Sequence, residues 1–336
     1  MPSFTVFKAQ KDGSIKEAIT TKPDLTYDQV LVRITASGLC FTDVHYRHAD
    51  MALGHEGVGI VQEVGPVVKN LRKGDRVGWG YLHNSCGMCE KCWTGHETYC
   101  AKRETYGAAN FDQGSMASHG VWRESFLFRV PEGLTDAEAA PLMCGGATVW
   151  SAMELYGIGP TSRVGVIGVG GLGHLAIQFI SKMGAEAVVF SGTDSKEAEA
   201  KRLGANKFYA TKGKSEIDDP ALQSHLDYLI VTSSYLPDWN VYLPLLAPEG
   251  KIIPLTVSDG DFKVPYEPLL MRGLAVQGSL VSPRFAHQHM LDFAARNGIK
   301  PLLNTFPLSV EGIEEAFNVL TSGKMRYRGV LIPEQH

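Results

Sequence analysis

The chain has 336 residues, 44% hydrophobic and 20% charged, with a formal net charge of -4. That length exceeds one ordinary core, so two domains are expected, and the composition excludes a disordered chain. Lys and Arg are scattered rather than striped and no acidic tail is present, which argues against nucleic acid or a strongly basic partner.

The stretch Met1-Pro-Ser-Phe-Thr-Val-Phe-Lys8 has no apolar region of the kind a secretory signal needs. No apolar run approaches the ~20 residues of a membrane helix. The tripeptide Glu334-Gln335-His336 matches no retention or lipidation signal. No membrane partner and a cytoplasmic location are therefore expected.

In chain order, Val30–Ala36 and Val58–Val64 are rich in β-branched residues and bounded by Gly or Asp, so they read as strands. Between them lie two candidate ligands, Cys40 in Gly38-Leu-Cys-Phe-Thr-Asp-Val-His45 and His55 in Gly54-His-Glu-Gly-Val-Gly59. Gly74-Asp75-Arg76-Val77 reads as a turn entering another strand. Next come Cys86, Cys89, Cys92 and Cys100, four soft ligands in one loop. Four thiolates about 2.3 Å from a zinc close a tetrahedral shell with no open position, so a structural metal is expected there. Cys144 follows in Met143-Cys-Gly-Gly-Ala-Thr148.

Taken singly, a lone Cys is as well a small core residue and a lone His a hydrogen-bonded structural one. Taken together, Cys40, His55 and Cys144 supply two sulfurs and one imidazole. That set leaves one zinc position open, as a catalytic site requires.

The period then changes. Arg163–Ile167 is a short apolar strand, and Gly168-Val-Gly-Gly-Leu-Gly173 follows as G-x-G-x-x-G. Leu172, Leu175, Ala176, Phe179, Ile180 and Met183 recur at helical steps. A glycine loop between a strand and a helix is the context of a dinucleotide site. Gly168 makes the tight turn, Gly170 admits the pyrophosphate and Gly173 packs helix on strand, with Gly171 and Leu172 between. The helix N-terminus then faces the phosphates.

The next strand, Ala187–Phe190, leads into Ser191-Gly-Thr-Asp-Ser-Lys196. An NAD site usually places Asp or Glu at that end, on the ribose hydroxyls. A helix over about 196–203 comes next. Leu226–Val231, Lys251–Ile253 and Leu274–Gln277 are further strands. Helices near 284–297 and 310–322 precede a last strand, Gly329–Ile332. Strands alternating with helices imply a parallel sheet covered on both faces.

These strings, in this order and across essentially the whole chain, resemble the zinc-containing medium-chain alcohol dehydrogenases, within them the cinnamyl alcohol dehydrogenase-like, NADP-dependent branch. The resemblance implies an α/β two-domain fold: a GroES-like β-rich catalytic domain over 1–147, a Rossmann doubly wound parallel sheet over 148–283, and a segment over 284–336 returning to the first. It implies hydride transfer between NADP(H) and a small alcohol or aldehyde, with two zincs per chain. Carried over residue by residue, Cys40, His55 and Cys144 hold the catalytic zinc, and Cys86, Cys89, Cys92 and Cys100 the structural one. Thr42 contacts the substrate oxygen, and His45 relays its proton through the cofactor ribose. Asp43 orients His55, and Glu56 is a carboxylate able to ligate transiently. Aligned on Leu203-Gly204-Ala205, Ser191 stands where NAD enzymes carry their acid, and Lys196 matches a lysine that pairs with the 2′-phosphate. Thr193 lies between them. Against NADP, Gly192 stands where some relatives supply Arg, and Asp194 adds a negative charge. Thr148, Thr232 and Arg328 match positions that touch the cofactor, Thr232 in the nicotinamide pocket.

The resemblance places substrate in a cleft between the domains, with Thr42, Tyr46, Tyr81 and Leu82 as candidate pocket residues. One departure is plain: only Phe41 to Gly54 separate Cys40 from His55, a loop shorter than the family's, with His48 in it read as exposed. The stretch Leu274–Leu280 resembles the edge through which relatives dimerise, so a homodimer is expected. The alternatives are an NAD-dependent zinc polyol or alcohol dehydrogenase, a zinc-free double-bond reductase, and a non-catalytic nucleotide-binding relative. Cys144 and Ser191 speak against the first, the ligand set against the second, and the ligand and relay set together against the third.

Overall fold

The computed structural model describes residues 1–257 and 260–334. Of Glu334-Gln335-His336, only Glu334 lies within the described residues. The chain divides into two compact units, Met1–Ala147 with Val281–His336, and Thr148–Leu280.

The first unit is built on a seven-stranded sheet. Its path runs Leu303–Pro307, Arg328–Ile332, Gln29–Leu39, Gly57–Val64, Arg76–Trp79 and Phe128–Arg129, with His119–Arg123 also pairing to Gln29–Leu39. Gln29–Leu39 is the hub. Its β-branched run bends at two irregularities opposite Gly57–Val64, at Leu31/Val32 and Ile34/Ala36, and along its length it pairs with three strands, Gly57–Val64, His119–Arg123 and Arg328–Ile332. The C-terminal strand docks antiparallel on the end of this hub, Gly329 opposite Leu39 and Leu331 opposite Ser37. That pairing brings Arg328 to the stretch ending in Cys40. Val32, Ile34, Val61, Val77, Trp79 and Trp122 form one core cluster of this unit.

The second unit holds a six-stranded parallel sheet. Its order is Lys207–Ala210, Glu186–Ser191, Arg163–Ile167, Leu226–Val231, Leu246–Pro254, Ala275–Val276. Continuous buried runs such as Ala187–Phe190 are what a sheet covered on both faces requires. The helix Gly173–Met183 buries Leu175, Ala176, Phe179 and Ile180, and Gly184 ends it at φ +92° in the left-handed region. From Arg163–Ile167 the chain continues to one side of the sheet and later crosses to the other. This reversal of strand order is where open α/β sheets bind ligands. The edge strand is shorter than the expected Leu274–Gln277. Gly273 closes the preceding helix and both strand residues are exposed, so only Ala275 and Val276 pair. No helix among the described residues is long and apolar enough to cross a membrane.

Candidate functional site

Three elements of the first unit bring Cys40, His55, Glu56 and Cys144 together, with one donor atom of each within 4.8 Å of the others. Cys40 precedes the short helix Phe41–His45, whose Asp43 reaches back to accept the Cys40 N–H at 3.0 Å. His55 follows Gly54, at φ +96°, where an added Cβ would lie 2.5 Å from the Met116 backbone nitrogen. Cys144 sits on a π-helical turn, Leu142–Gly146, inserted between the helices Asp136–Pro141 and Ala147–Tyr156. Such turns recur at functional sites because they re-aim one side chain.

Around His55 the hydrogen bonds are directional. Nδ1 donates to Asp43 Oδ1 at 3.1 Å, and Nε2 lies 3.4 Å from Cys40 Sγ. The Tyr106 hydroxyl also donates to Asp43 Oδ1, at 3.0 Å, and accepts the Gly54 N–H at 3.0 Å. The Tyr106 ring stacks under His55 at 4.7 Å. Asp43 thus fixes the tautomer that leaves Nε2 free as a ligand. His55, Asp43 and Glu56 are fully buried.

The hydrogen bond between Cys40 and Cys144 shifts the two thiols in opposite directions. The Cys144 hydrogen bond pulls Cys40 well below the ordinary thiol range against its burial, with His55 and Arg328 assisting. The same contact pushes Cys144 well above that range, with burial adding. Burial pushes Glu56 up to about 8, although the Arg328 guanidinium opposes it. Glu56 Oε1 accepts from Arg328 Nη2, and its Oε2 has no partner. Two sulfurs, one imidazole and a half-satisfied buried carboxylate fit a divalent metal of zinc's softness.

The second cluster is closed. Cys86, Cys89, Cys92 and Cys100 are free thiols. Their sulfurs lie 3.9 Å (Cys86–Cys92), 3.6 Å (Cys89–Cys92) and 3.5 Å (Cys86–Cys100) apart. Four sulfurs about 2.3 Å from a central zinc would be about 3.8 Å apart. Donation by the Met88 N–H, with the Cys100 thiol, draws Cys86 down to about 6. A thiolate is the form that binds metal.

In the second unit, Gly168 is at φ +99° and an added Cβ at Gly173 would fall 1.9 Å from the Gly168 carbonyl. An added Cβ at Gly170 meets nothing within 4 Å, so space for a ligand is open there. These facts fit a dinucleotide cradle. The Thr232 hydroxyl reaches the Ile167 and Gly168 carbonyls, both at 2.9 Å, and so fixes the glycine turn. Lys196 donates from Nζ to the Val169 carbonyl at 2.5 Å, so its ammonium lies over the loop. Ser191 is half-buried at the strand end and Thr193 is exposed, with its hydroxyl 2.8 Å from that of Ser195. Thr148 is buried in the helix Ala147–Tyr156.

Thr42 is half-buried and His45 exposed on their short helix. His48 is exposed, with Nδ1 3.2 Å from the Lys11 carbonyl, apart from either cluster. The short loop folds onto its own unit: Arg47 Nε donates to Gly13 O at 2.8 Å and its guanidinium pairs with Glu314. Tyr81 meets His55 edge-on at 5.9 Å, and Tyr46 meets Tyr106 at 5.1 Å. Sequence reasoning missed Tyr106, which carries no motif of its own. It also missed the burial of Arg328 against Glu56.

Residues 26–132 match the family described as alcohol dehydrogenase GroES-like domain, and residues 171–296 match zinc-binding dehydrogenase. A probable formaldehyde dehydrogenase of Bacillus subtilis is 35% identical over 90% of this chain and 89% of its own. An NADP-dependent alcohol dehydrogenase of Mycolicibacterium smegmatis is 33% identical over 94% of this chain and 93% of its own. Among solved structures, a cinnamyl alcohol dehydrogenase of Sorghum bicolor superposes with a TM-score of 0.87 at 30% identity, covering 98% of each chain.

Proposed function

Because this chain belongs to the zinc-binding alcohol dehydrogenase family, we propose that it reduces small aldehydes to alcohols with NADPH, using a catalytic and a structural zinc. The observation that carries the reading is the convergence of Cys40, His55 and Cys144 on one point beside Glu56.

A zinc held by Cys40, His55 and Cys144 would supply a Lewis acid for the carbonyl oxygen, and the bound nicotinamide would supply the hydride. The chain's own residues do the rest. Asp43 holds the His55 ring with Nε2 available. Thr42 and His45 are three apart on one helix and share a face. The Thr42 hydroxyl donates the proton that the reduced oxygen needs, and exposed His45 restores it from solvent. Glu56, with Oε2 unpartnered, stands ready as a transient fourth ligand. Cys86, Cys89, Cys92 and Cys100 hold the structural zinc. Gly168, Gly170, Gly171, Leu172 and Gly173 cradle the pyrophosphate.

NADP is favoured over NAD because Ser191 tolerates a 2′-phosphate that a carboxylate would repel. The relative from Mycolicibacterium smegmatis is itself described as NADP-dependent. For Lys196 to reach that phosphate, its ammonium must turn from the Val169 carbonyl. Reduction is the proposed direction, since cells keep NADP largely reduced. The wild-type enzyme should turn over NADPH with a higher kcat/KM than NADH. Ser191→Asp should lower the NADPH value by about tenfold or more, the cost of one repelled charge. Equal or better turnover with NADH in the wild type would reject NADP.

A cytoplasmic location suits six free thiols. A homodimer is proposed through the edge strand Ala275–Val276 of the parallel sheet, beside exposed Tyr266, Leu270 and Met271. Light scattering on the eluting protein should give twice the 36.6 kDa chain mass; a monomer mass at working concentration would reject it.

A further inference from the structure

Beside the catalytic cluster the first unit contains a small cavity whose walls include Gly80, Tyr81, Leu82, Met143, Arg284 and His287. It measures about 10 Å³, the threshold size for a single water molecule. Two of its walls are tied to the site already described. Met143 directly precedes Cys144, and the Tyr81 ring meets the His55 ring.

The third wall is polar. His287 is 4% exposed, and its Nε2 has no hydrogen-bond partner. Phe128 stacks on the ring at 4.0 Å, which fixes its plane. Burial pulls this imidazole down to about 3, so it is neutral at physiological pH. Gly80 keeps the space clear: an added Cβ there would lie 3.1 Å from His287 Cε1 and 2.4 Å from the Met143 carbonyl.

The helix bearing His287, Arg284–Asn297, is anchored from the four-cysteine lobe. Buried Glu97 accepts the Arg284 N–H at 2.8 Å and Arg284 Nε at 2.9 Å. The imidazole is therefore held in place by groups that do not use its Nε2. A buried polar atom left unpaired is costly, and because His287 lines this cavity, a polar group held there can pair with it.

We propose that this cavity is a subsite for a second oxygen on the substrate, with His287 Nε2 as its partner, so that hydroxyl-bearing aldehydes are preferred over alkyl ones of the same size. A hydroxyl both donates and accepts, so it pairs with either tautomer of a neutral imidazole. The cavity takes an atom of oxygen's size and little more. The inference rests on the aldehyde-reductase reading above, which it narrows to a substrate class.

The test compares kcat/KM within isosteric pairs, glycolaldehyde against propanal and 4-hydroxybenzaldehyde against 4-methylbenzaldehyde, with NADPH. The wild type should favour the hydroxyl member of at least one pair. His287→Leu should shrink that ratio about fivefold to tenfold, the worth of one neutral hydrogen bond, and His287→Gln should retain most of it. Each ratio is internal to one variant, so partial loss of folded enzyme cancels. An unchanged ratio in His287→Leu, or no wild-type preference in either pair, overturns the subsite while leaving the reductase reading standing. No NADPH-linked turnover with any of the four aldehydes overturns both.

Discussion

Replacing Cys144 with serine should lower kcat/KM with NADPH and aldehyde by about a thousandfold or more, and take zinc content from two per chain to one. Serine keeps the shape of the side chain but loses the soft thiolate that the metal prefers. The remaining donors, Cys40 and His55, are then joined only by Glu56, which the Arg328 guanidinium also claims. Carbonyl polarisation at such a centre is worth several kcal/mol, and each 1.36 kcal/mol is tenfold in rate. The four-cysteine lobe is a separate cluster with its own closed set of sulfurs, so its metal should stay. Elemental analysis alongside turnover reads both quantities on one sample. Two zincs and wild-type turnover in Cys144→Ser would remove Cys144 from the catalytic centre. One zinc in the wild type would mean that only one of the two clusters is filled.

The four cysteines at short gaps stand out on spacing alone, whereas Cys40, His55 and Cys144, each weak singly, are marked as ligands only by the resemblance. The glycine loop was legible because a strand and an amphipathic helix flank it. The helices Arg284–Asn297 and Val310–Thr321 fell where the apolar period placed them. The edge strand was overread, because an apolar run does not reveal that Gly273 ends a helix just before it and that Ala275 and Val276 lie exposed. Tyr106 was missed for a different reason. Its roles, a hydrogen bond to Asp43 and a stack beneath His55, join segments far apart in sequence. Periodicity and spacing carry no information about such contacts. Thr232 shows the same limit in reverse: its position at a strand end was plain, but the direction of its hydroxyl depends on the Gly168 turn.

Arg328→Ala should destabilise the first unit by about 3–5 kcal/mol, the cost of breaking a buried pair from one side. At roughly 2–4 °C per kcal/mol for a unit of this size, the midpoint of thermal unfolding should fall by about 10 °C. The reason lies in what remains. Glu56 is fully buried, its Oε2 is already unpartnered, and Arg328 is the cation that hydrogen-bonds Oε1. Removing the guanidinium takes away the charge that opposes burial at Glu56, already pushed up to about 8, so the carboxyl must take up a proton and Oε1 loses its donor. Adding Glu56→Gln to Arg328→Ala puts a neutral amide in that place without the proton uptake and should recover part of the loss. The sequence resemblance assigns Arg328 to the cofactor, and the two roles separate cleanly in one experiment. A cofactor contact alone would raise KM for NADPH and leave the melting midpoint of the cofactor-free protein within a degree or two. A buried counter-charge for Glu56 lowers that midpoint before any cofactor is added. An Arg328→Ala protein that melts like the wild type without cofactor would show that the ion pair contributes nothing to folding.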